Sequence, residues 1–235
     1  MSIQVTNLTK VYGSQRAVDG ISFTLRPGEI VGFLGPNGAG KSTTMKILTG
    51  YLKPSEGTAR VADFDVKEQP MQSRRSIGYL PEHNPLYLDM YVREFLLFSG
   101  KMYQLSGDSL KARVSEMIAM CGLETEKHKK IGQLSKGYRQ RVGLAQSFLH
   151  DPAVLILDEP TTGLDPNQIL EIRELIRTAG KNKTVLFSTH IMQEVEALCD
   201  RVIIINKGKV VSDSSLETLR ESGNSLEDIF RSLTS

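Results

Sequence analysis

The fold of this 235-residue chain is decided by Gly35-Pro36-Asn37-Gly38-Ala39-Gly40-Lys41-Ser42. This segment fits the pattern G-x-x-x-x-G-K-[ST]; it follows the apolar run 30–34 and its last two residues begin KSTTMKILTG, which can form a helix closed by Gly50. Glycines let backbone N–H groups turn inward around phosphate oxygens, and a helix that starts near Lys41 points its positive end at the same anion. The sequence therefore predicts a strand, a phosphate-binding loop and a helix.

The side chains at the end of this loop are suited to different parts of a phosphate-bearing ligand. Lys41 would neutralise the outer phosphates and Ser42 would offer its hydroxyl to Mg²⁺, and we count Thr43 among the ligand-binding residues. The alternative is a glycine-rich turn between a strand and a helix, with an exposed lysine. The strand before the loop and the helix after it favour phosphate binding.

A second motif, VLILDEP at 154–160, is an apolar strand with two carboxylates at its carboxyl end, the edge where ligands bind in open α/β sheets. If the strand persists, Asp158 and Glu159 point to opposite faces and should have different roles. We expect Asp158 to hold Mg²⁺ through water and Glu159 to act as general base toward an attacking water. The alternative is an acidic pair that only ends a strand and caps a turn.

The order of the elements predicts an α/β fold. Residues 1–30 alternate apolar and polar positions and predict antiparallel strands, whereas later apolar strands alternate with helices and predict a mostly parallel sheet. Between them, 83–149 contains helical stretches and no convincing strand. We therefore predict a single domain, with a core of 1–82 and 150–235 and a helical subdomain of 83–149.

The composition limits partners and location. The net charge is +2, from 29 basic and 27 acidic residues, which is too small for a nucleic-acid footprint, so we predict no nucleic-acid partner. No window approaches the roughly 18 consecutive apolar residues of a spanning helix, and the first residues lack a secretory signal pattern. We expect a cytoplasmic protein with two buried, inert cysteines, Cys121 and Cys199.

The sequence Leu134-Ser135-Lys136-Gly137-Tyr138 lies about twenty residues before the carboxylate pair. Ser135 is a good N-cap, and the N-terminus of the helix that follows is a second anion site. This segment resembles the signature of the ABC-transporter ATP-binding cassette, with Lys136 and Tyr138 in place of Gly and Gln of LSGGQ. The alternative is a capped surface helix.

The resemblance implies a phosphate-binding role for Ser135 and Gly137, which in the family close on the γ-phosphate of ATP held by the opposite subunit. It therefore implies ATP and Mg²⁺ as ligands and a head-to-tail pair, either a homodimer or a pairing with a similar ATPase subunit. It also implies an integral membrane permease as a further partner. The chain would then lie peripherally on the cytoplasmic face of the inner membrane.

Three further positions match the family, and a fourth departs from it. Tyr12 stands where an aromatic ring stacks on adenine, Asp165 belongs to the segment Gly163-Leu164-Asp165 that resembles the D-loop, and His190 stands where a histidine touches the γ-phosphate. Asp165 before Pro166 is also an ideal N-cap, and a D-loop role and an N-cap role are compatible. Glu82 takes the place of the Q-loop glutamine near Mg²⁺, a departure that leaves its role open because an ionised carboxylate cannot donate a hydrogen bond.

Glu82 and the C-terminal helix with Leu226, Ile229, Phe230 and Leu233 resemble ATPase subunits of ABC-2 exporters. The segment 81–95 looks like ATP-binding subunits associated with gliding motility. The alternative is a soluble ABC ATPase that acts on chromosomes, DNA repair or ribosomes. Those acting on chromosomes resemble cassettes split by long coiled coils, and the ribosomal type resembles two tandem cassettes. This sequence shows neither feature. A kinase or GTPase would not account for Ser135, Gly137 and His190 together.

Overall fold

A computed structural model describes residues 1–221 and 225–234. The strands are β1 (Ile3–Tyr12), β2 (Gln15–Leu25), β3 (Ile30–Leu34), β4 (Glu56–Val61), β5 (Phe64–Asp65), β6 (Ile77–Leu80), β7 (Val154–Asp158), β8 (Thr184–Thr189), β9 (Arg201–Asn206) and β10 (Lys209–Ser215). The helices are α1 (Lys41–Leu48), α2 (Pro70–Arg75), α3 (Val92–Met102), α4 (Gly107–Met120), α5 (Lys136–Phe148), α6 (Pro166–Gly180), α7 (Met192–Leu198), α8 (Leu216–Glu221) and α9 (Leu226–Thr234), and a 3₁₀ turn spans Ile131–Gln133.

The N-terminal strands form an antiparallel sheet, in the order β2-β1-β4-β5. The prediction of antiparallel strands in 1–30 is confirmed, although β1 and β2 extend beyond the residues that alternate between apolar and polar side chains. The two strands meet at a tight turn at Gly13, which has a φ of 58°. The strands β4 and β5 are additions that the sequence did not predict, because β4 is mostly exposed and β5 has only two residues.

The larger sheet has the strand order β10-β9-β3-β8-β7-β6, and all its pairings are parallel except that of β10 with β9. The fold class is therefore confirmed. Successive side chains of β7 enter different clusters: Leu155 and Leu157 pack toward the helical subdomain, while Val154 and Ile156 pack toward α1 and the antiparallel sheet. Because both faces of the sheet are covered, its central strands have continuous apolar sequences.

Within 83–149 lie α3, α4 and α5, whose buried faces include Phe95, Val114, Ile118, Val142 and Phe148. The division into a core and a helical subdomain stays a prediction. In the described ranges, 1–221 and 225–234, no helix is both long enough and apolar enough to cross a membrane.

The parallel strands bring the motifs together. The phosphate loop follows β3, Asp158 ends β7 and His190 follows β8. Since β3, β8 and β7 are neighbours, their carboxyl ends meet at one edge of the sheet. The candidate site lies along this edge.

Candidate functional site

The phosphate loop needs glycine at positions where the backbone turns or approaches another strand. Gly40 has a φ of 108°, and a Cβ atom there would lie 2.5 Å from the carbonyl oxygen of Ala17. A Cβ atom on Gly35 would lie 2.4 Å from the carbonyl oxygen of Ile205. The helix α1 begins directly after the loop, as predicted, so its unpaired N–H groups face the same space.

Lys41 is folded back over this loop, with only 6% of its surface exposed. Its Nζ donates to the carbonyl oxygen of Gly35 at 2.7 Å and to that of Pro36 at 3.3 Å. The same ammonium lies 3.5 Å from Glu159 Oε1. The lysine therefore joins the phosphate loop to the second motif, and its role toward phosphate stays a prediction.

Asp158 and Ser42 provide oxygen atoms that fit Mg²⁺. Ser42 Oγ donates to Asp158 Oδ1 at 3.3 Å, and Ser188 Oγ donates to the same oxygen. Among the described residues, no group of three or more His, Cys, Asp or Glu could hold a metal. One carboxylate and one hydroxyl suit Mg²⁺ bound mainly through water and phosphate oxygens, because this ion seldom uses an all-protein cage.

Glu159 turns away from the strand that precedes it. β7 ends at Asp158, and Glu159 has a φ of 49°, so the alternation expected for a persisting strand does not apply. The backbone N–H of Glu159 donates to Ser188 Oγ at 3.1 Å, while its carboxylate oxygen Oε2 lies 3.0 Å from His190 Nδ1. The structure thus brings together the carboxylate and the histidine that were predicted separately.

Sequence reasoning missed Ser188, which contacts both predicted carboxylate residues, Asp158 through its side chain and Glu159 through its backbone. The available signal was its position two residues before His190, at the end of a strand beside β7. A serine in a fully buried strand needs polar partners.

The signature helix α5 begins as predicted. The Ser135 hydroxyl accepts from the backbone N–H of Tyr138 at 3.3 Å, while Ser135 itself is exposed. Gly137 is buried against α6, and a Cβ atom there would lie 2.7 Å from the side chain of Gln168. Asp165 is the N-cap of α6 and accepts from the N–H of Gln168 at 3.0 Å. The signature and the D-loop segment therefore pack against each other within one chain.

Tyr12 and Glu82 lie at the ends of two strands in different sheets. Tyr12 ends β1 with 47% of its surface exposed, and Lys10 Nζ lies 5.2 Å from its ring centroid. Glu82 follows β6, and its side chain lies 4.0 Å from His83 Nδ1. Burial, followed by the charges of Asp158 and Glu82, raises the pKa of Tyr79. The roles of Tyr12 toward adenine and of Glu82 toward Mg²⁺ stay predictions.

A family model described as "ABC transporter" matches residues 18–162, which is more than half of the chain and includes the phosphate loop, the signature and Asp158–Glu159. The chain belongs to the ABC transporter ATP-binding family. It binds ATP and is an ATPase subunit of an ABC transporter. A second model, described as "AAA domain, putative AbiEii toxin, Type IV TA system", matches 129–196.

Two bacterial relatives resemble nearly the whole chain. The ABC transporter ATP-binding protein NatA of Bacillus subtilis is 41% identical over 216 residues, covering 91% of this chain and 87% of the relative. The Nod factor export ATP-binding protein I of Burkholderia lata is 39% identical over 221 residues, covering 94% of this chain and 73% of the relative.

Solved structures of ATP-binding cassettes have the same fold as this chain. An ATP-binding subunit of an ABC transporter superposes with a TM-score of 0.90 at 31% identity, over 100% of both chains. A dimeric ATP-binding cassette in a post-hydrolysis state, bound to ADP and Pi, superposes with a TM-score of 0.83 at 27% identity, over 91% of this chain and 98% of that chain. Cassettes of this family dimerise and work with permease subunits.

Proposed function

We propose that this chain is the ATPase subunit of an ABC-2 type exporter, working as a head-to-tail homodimer on the cytoplasmic face of a membrane with a separate permease. The observation that carries the proposal is the presence of two anion-binding helix ends on one chain. One is the phosphate loop with α1, and the other is the exposed N-terminus of α5 at Ser135. Because Ser135 and Lys136 at this second end are exposed, it is open to an anion from outside the chain.

Each side chain at the sheet edge has a part in the proposed reaction. Lys41 leaves its loop carbonyls to pair with the outer phosphates. Ser42 and Asp158 would hold Mg²⁺, which when bound offsets phosphate charge. A water oxygen bonds to the γ-phosphorus while the bond to the bridging oxygen breaks, and Glu159 takes the proton of this water. His190, 3.0 Å from Glu159, holds that carboxylate in place.

A second copy of the chain would supply the signature residues that cover the triphosphate. Among the described residues, the hydrogen bonds of Ser135 stay within α5, and none reaches the loop 35–42. A triphosphate in the phosphate loop would therefore be covered by Ser135 and Gly137 of a partner. Because each chain carries both halves, a two-fold pairing creates two equivalent sites.

A groove beside the helical subdomain suits a permease. It has a volume of about 630 Å³ and carries exposed apolar side chains, among which Tyr51 is 77% and Met102 is 71% exposed. Other apolar lining residues are Tyr87, Phe95 and Phe98. An exposed apolar groove of this kind marks a protein interaction surface. It is therefore the proposed docking site of the permease.

The direction of transport and the physiological role are narrower parts of the proposal. Glu82, the C-terminal helix α9 and the similarity to a Nod factor export ATPase support export. A role in gliding motility rests only on the resemblance of the segment 81–95. The transported substrate would be recognised by the permease, so the relatives' substrates do not transfer to this chain.

Copurification in mild detergent from native membranes tests this proposal. We expect the tagged chain to retain a protein with several membrane spans, and Met102→Asp to lose it while keeping the ATPase activity of the isolated chain. Met71→Asp is the matched control, because Met71 is also exposed (57%) but lies on α2, outside the groove. Recovery of ribosomes or nucleic acid in place of a membrane protein would support the soluble alternative and contradict the proposal.

A further inference from the structure

Glu194 is a buried carboxylate that has no part in the reaction proposed above. It lies in α7, four residues after His190, and none of its surface is exposed. Two threonine hydroxyls donate to it, Thr161 to Oε1 and Thr189 to Oε2, the latter at 2.7 Å. A fully buried carboxylate is costly unless it has such partners, so this group of three side chains is a built feature of the fold.

The two threonines lie on the loops that carry the proposed catalytic pair. Thr161 is two residues after Glu159, in the turn that follows β7, and Thr189 is the last residue of β8, directly before His190. Glu194 therefore bridges the two loops from which Glu159 and His190 reach each other at 3.0 Å.

Two further contacts, one to Thr189 and one to Glu194, hold these side chains in place. Thr189 Oγ1 also accepts from the backbone N–H of Ile191 at 3.0 Å, so its hydroxyl is oriented by two partners. Arg173 Nη2, from α6, lies 4.0 Å from Glu194 Oε1, and Arg173 Nε is buried without a hydrogen-bond partner among the described residues. The carboxylate thus has a nearby cation as well as two hydroxyl donors.

We infer that Glu194 is a positioning residue for ATP hydrolysis, which sets the spacing between Glu159 and His190 by holding Thr161 and Thr189. The inference rests on the roles proposed for Glu159 and His190. A displacement of about 1 Å in a catalytic group can lower a rate by about a hundredfold. Loss of the bridge should therefore lower turnover more than ATP binding.

The first test compares two buried threonines at opposite ends of β8. Thr189→Val removes the donor to Glu194, and we expect kcat to fall about tenfold or more while the KM for Mg-ATP stays within about threefold. Thr184→Val is the matched control: Thr184 is equally buried and its hydroxyl accepts from Gly28 N and bonds to Ser2 Oγ, far from the catalytic edge. The control should lower the melting temperature and leave kcat unchanged.

The second test is a double-mutant cycle between Glu194→Ala and His190→Ala, measured by single-turnover phosphate release. If Glu194 acts through the catalytic pair, its substitution should change the rate of the His190→Ala chain by less than about threefold. If Glu194→Ala does not fold, Thr189→Val takes its place in the cycle. The same rates should be measured for Glu159→Gln.

Two results overturn the inference. In the first, the rate losses of Glu194→Ala and His190→Ala multiply in the variant that carries both substitutions. In the second, Thr184→Val lowers kcat as much as Thr189→Val does. The outcome of Glu159→Gln separates these from failure of the proposed function. If Glu159→Gln hydrolyses ATP at the normal rate, the proposed catalytic roles fail and the positioning role fails with them. If it is inactive and the losses multiply, only the role of Glu194 is wrong.

Discussion

The phosphate loop and the signature helix are both helix N-termini that can bind an anion, but the chain treats them differently. At the phosphate loop, Lys41, Asp158 and Glu159 are buried; Lys41 pairs with Glu159, and Ser42 bonds to Asp158. At the signature, Ser135 and Lys136 are exposed. The first half-site is thus organised within one chain, whereas the second is open to the surroundings. In the proposed function, this second half-site binds the partner's nucleotide, so catalysis would depend on assembly.

The largest effect should come from removing the proposed general base. Glu159→Gln keeps the size of the side chain but cannot accept the proton of the attacking water, so kcat should fall by about 10²- to 10⁴-fold while Mg-ATP still binds. Phosphate release and nucleotide titration measure the two properties separately. Glu126→Gln is the control, because Glu126 is also buried but lies in the helical subdomain. Normal turnover by Glu159→Gln would contradict the assignment.

The second effect concerns binding at the organised half-site. Lys41→Ala removes the ammonium that would pair with the outer phosphates, and a charge-assisted contact of this kind corresponds to about 10- to 100-fold in affinity. Titration of the chain with Mg-ATP measures the change. Lys46→Ala, in the last turn of the same helix, should bind normally. Equal affinity in both variants would show that Lys41 has no phosphate contact.

The third effect concerns the exposed half-site. Ser135→Ala should lower kcat about tenfold because the partner's nucleotide loses a hydroxyl contact, and losing the N-cap should cost about 1 kcal/mol of stability. Affinity for Mg-ATP at low protein concentration, where the chain is monomeric, should not change. A loss of monomer affinity would place Ser135 in its own chain's site and remove the contrast between the two regions.

The smallest effect concerns His150, two residues after α5. His150 stacks on Tyr103 with centroids 3.7 Å apart, and its Nε2 lies 3.0 Å from the carbonyl oxygen of Ile77. Burial lowers the pKa of His150 from 6.5 to about 4. The folded state therefore disfavours the proton that the unfolded chain accepts, so stability is complete above pH 6.5 and declines as the pH falls toward about 4.

Denaturant unfolding at several pH values checks this expectation. His150→Phe keeps an aromatic ring beside Tyr103 and cannot titrate, so the decline between pH 6.5 and about 4 should become shallower. His128→Gln, an exposed histidine, should behave like the unmodified chain. An unchanged slope in His150→Phe would show that His150 does not cause the decline.

The sequence predicted those parts of the site that depend on local pattern. The phosphate loop lies where it was expected, and so do the N-caps Ser135 and Asp165 and the carboxylate of Asp158 that ends β7, because each depends on a few adjacent residues. The order of apolar strands and helices also predicted the parallel sheet, since strands buried on both faces have continuous apolar sequences.

The remaining features depend on contacts between distant segments. Ser188 and Glu194 do not stand out in elements that carry other polar residues, and their partners at 158–161 come close only when β7 pairs with β8. The turn at Glu159 could not be predicted either, because its positive φ is fixed by bonds to Ser188. Sequence reasoning therefore found the chemical groups but not the contacts that orient them.

The most direct test of assembly mixes Lys41→Ala with Ser135→Arg, whose bulky cation should block the partner's site, at an ATP concentration too low to occupy the weakened Lys41→Ala site. In a head-to-tail dimer, each mixed pair contains one site with both defects and one site with none. Random pairing of equal amounts should therefore restore about a quarter of normal ATPase activity. The control mixes Lys41→Ala with the double variant, which offers no intact site. If the first mixture stays as inactive as this control, the two half-sites do not come from different chains, and the central claim is contradicted.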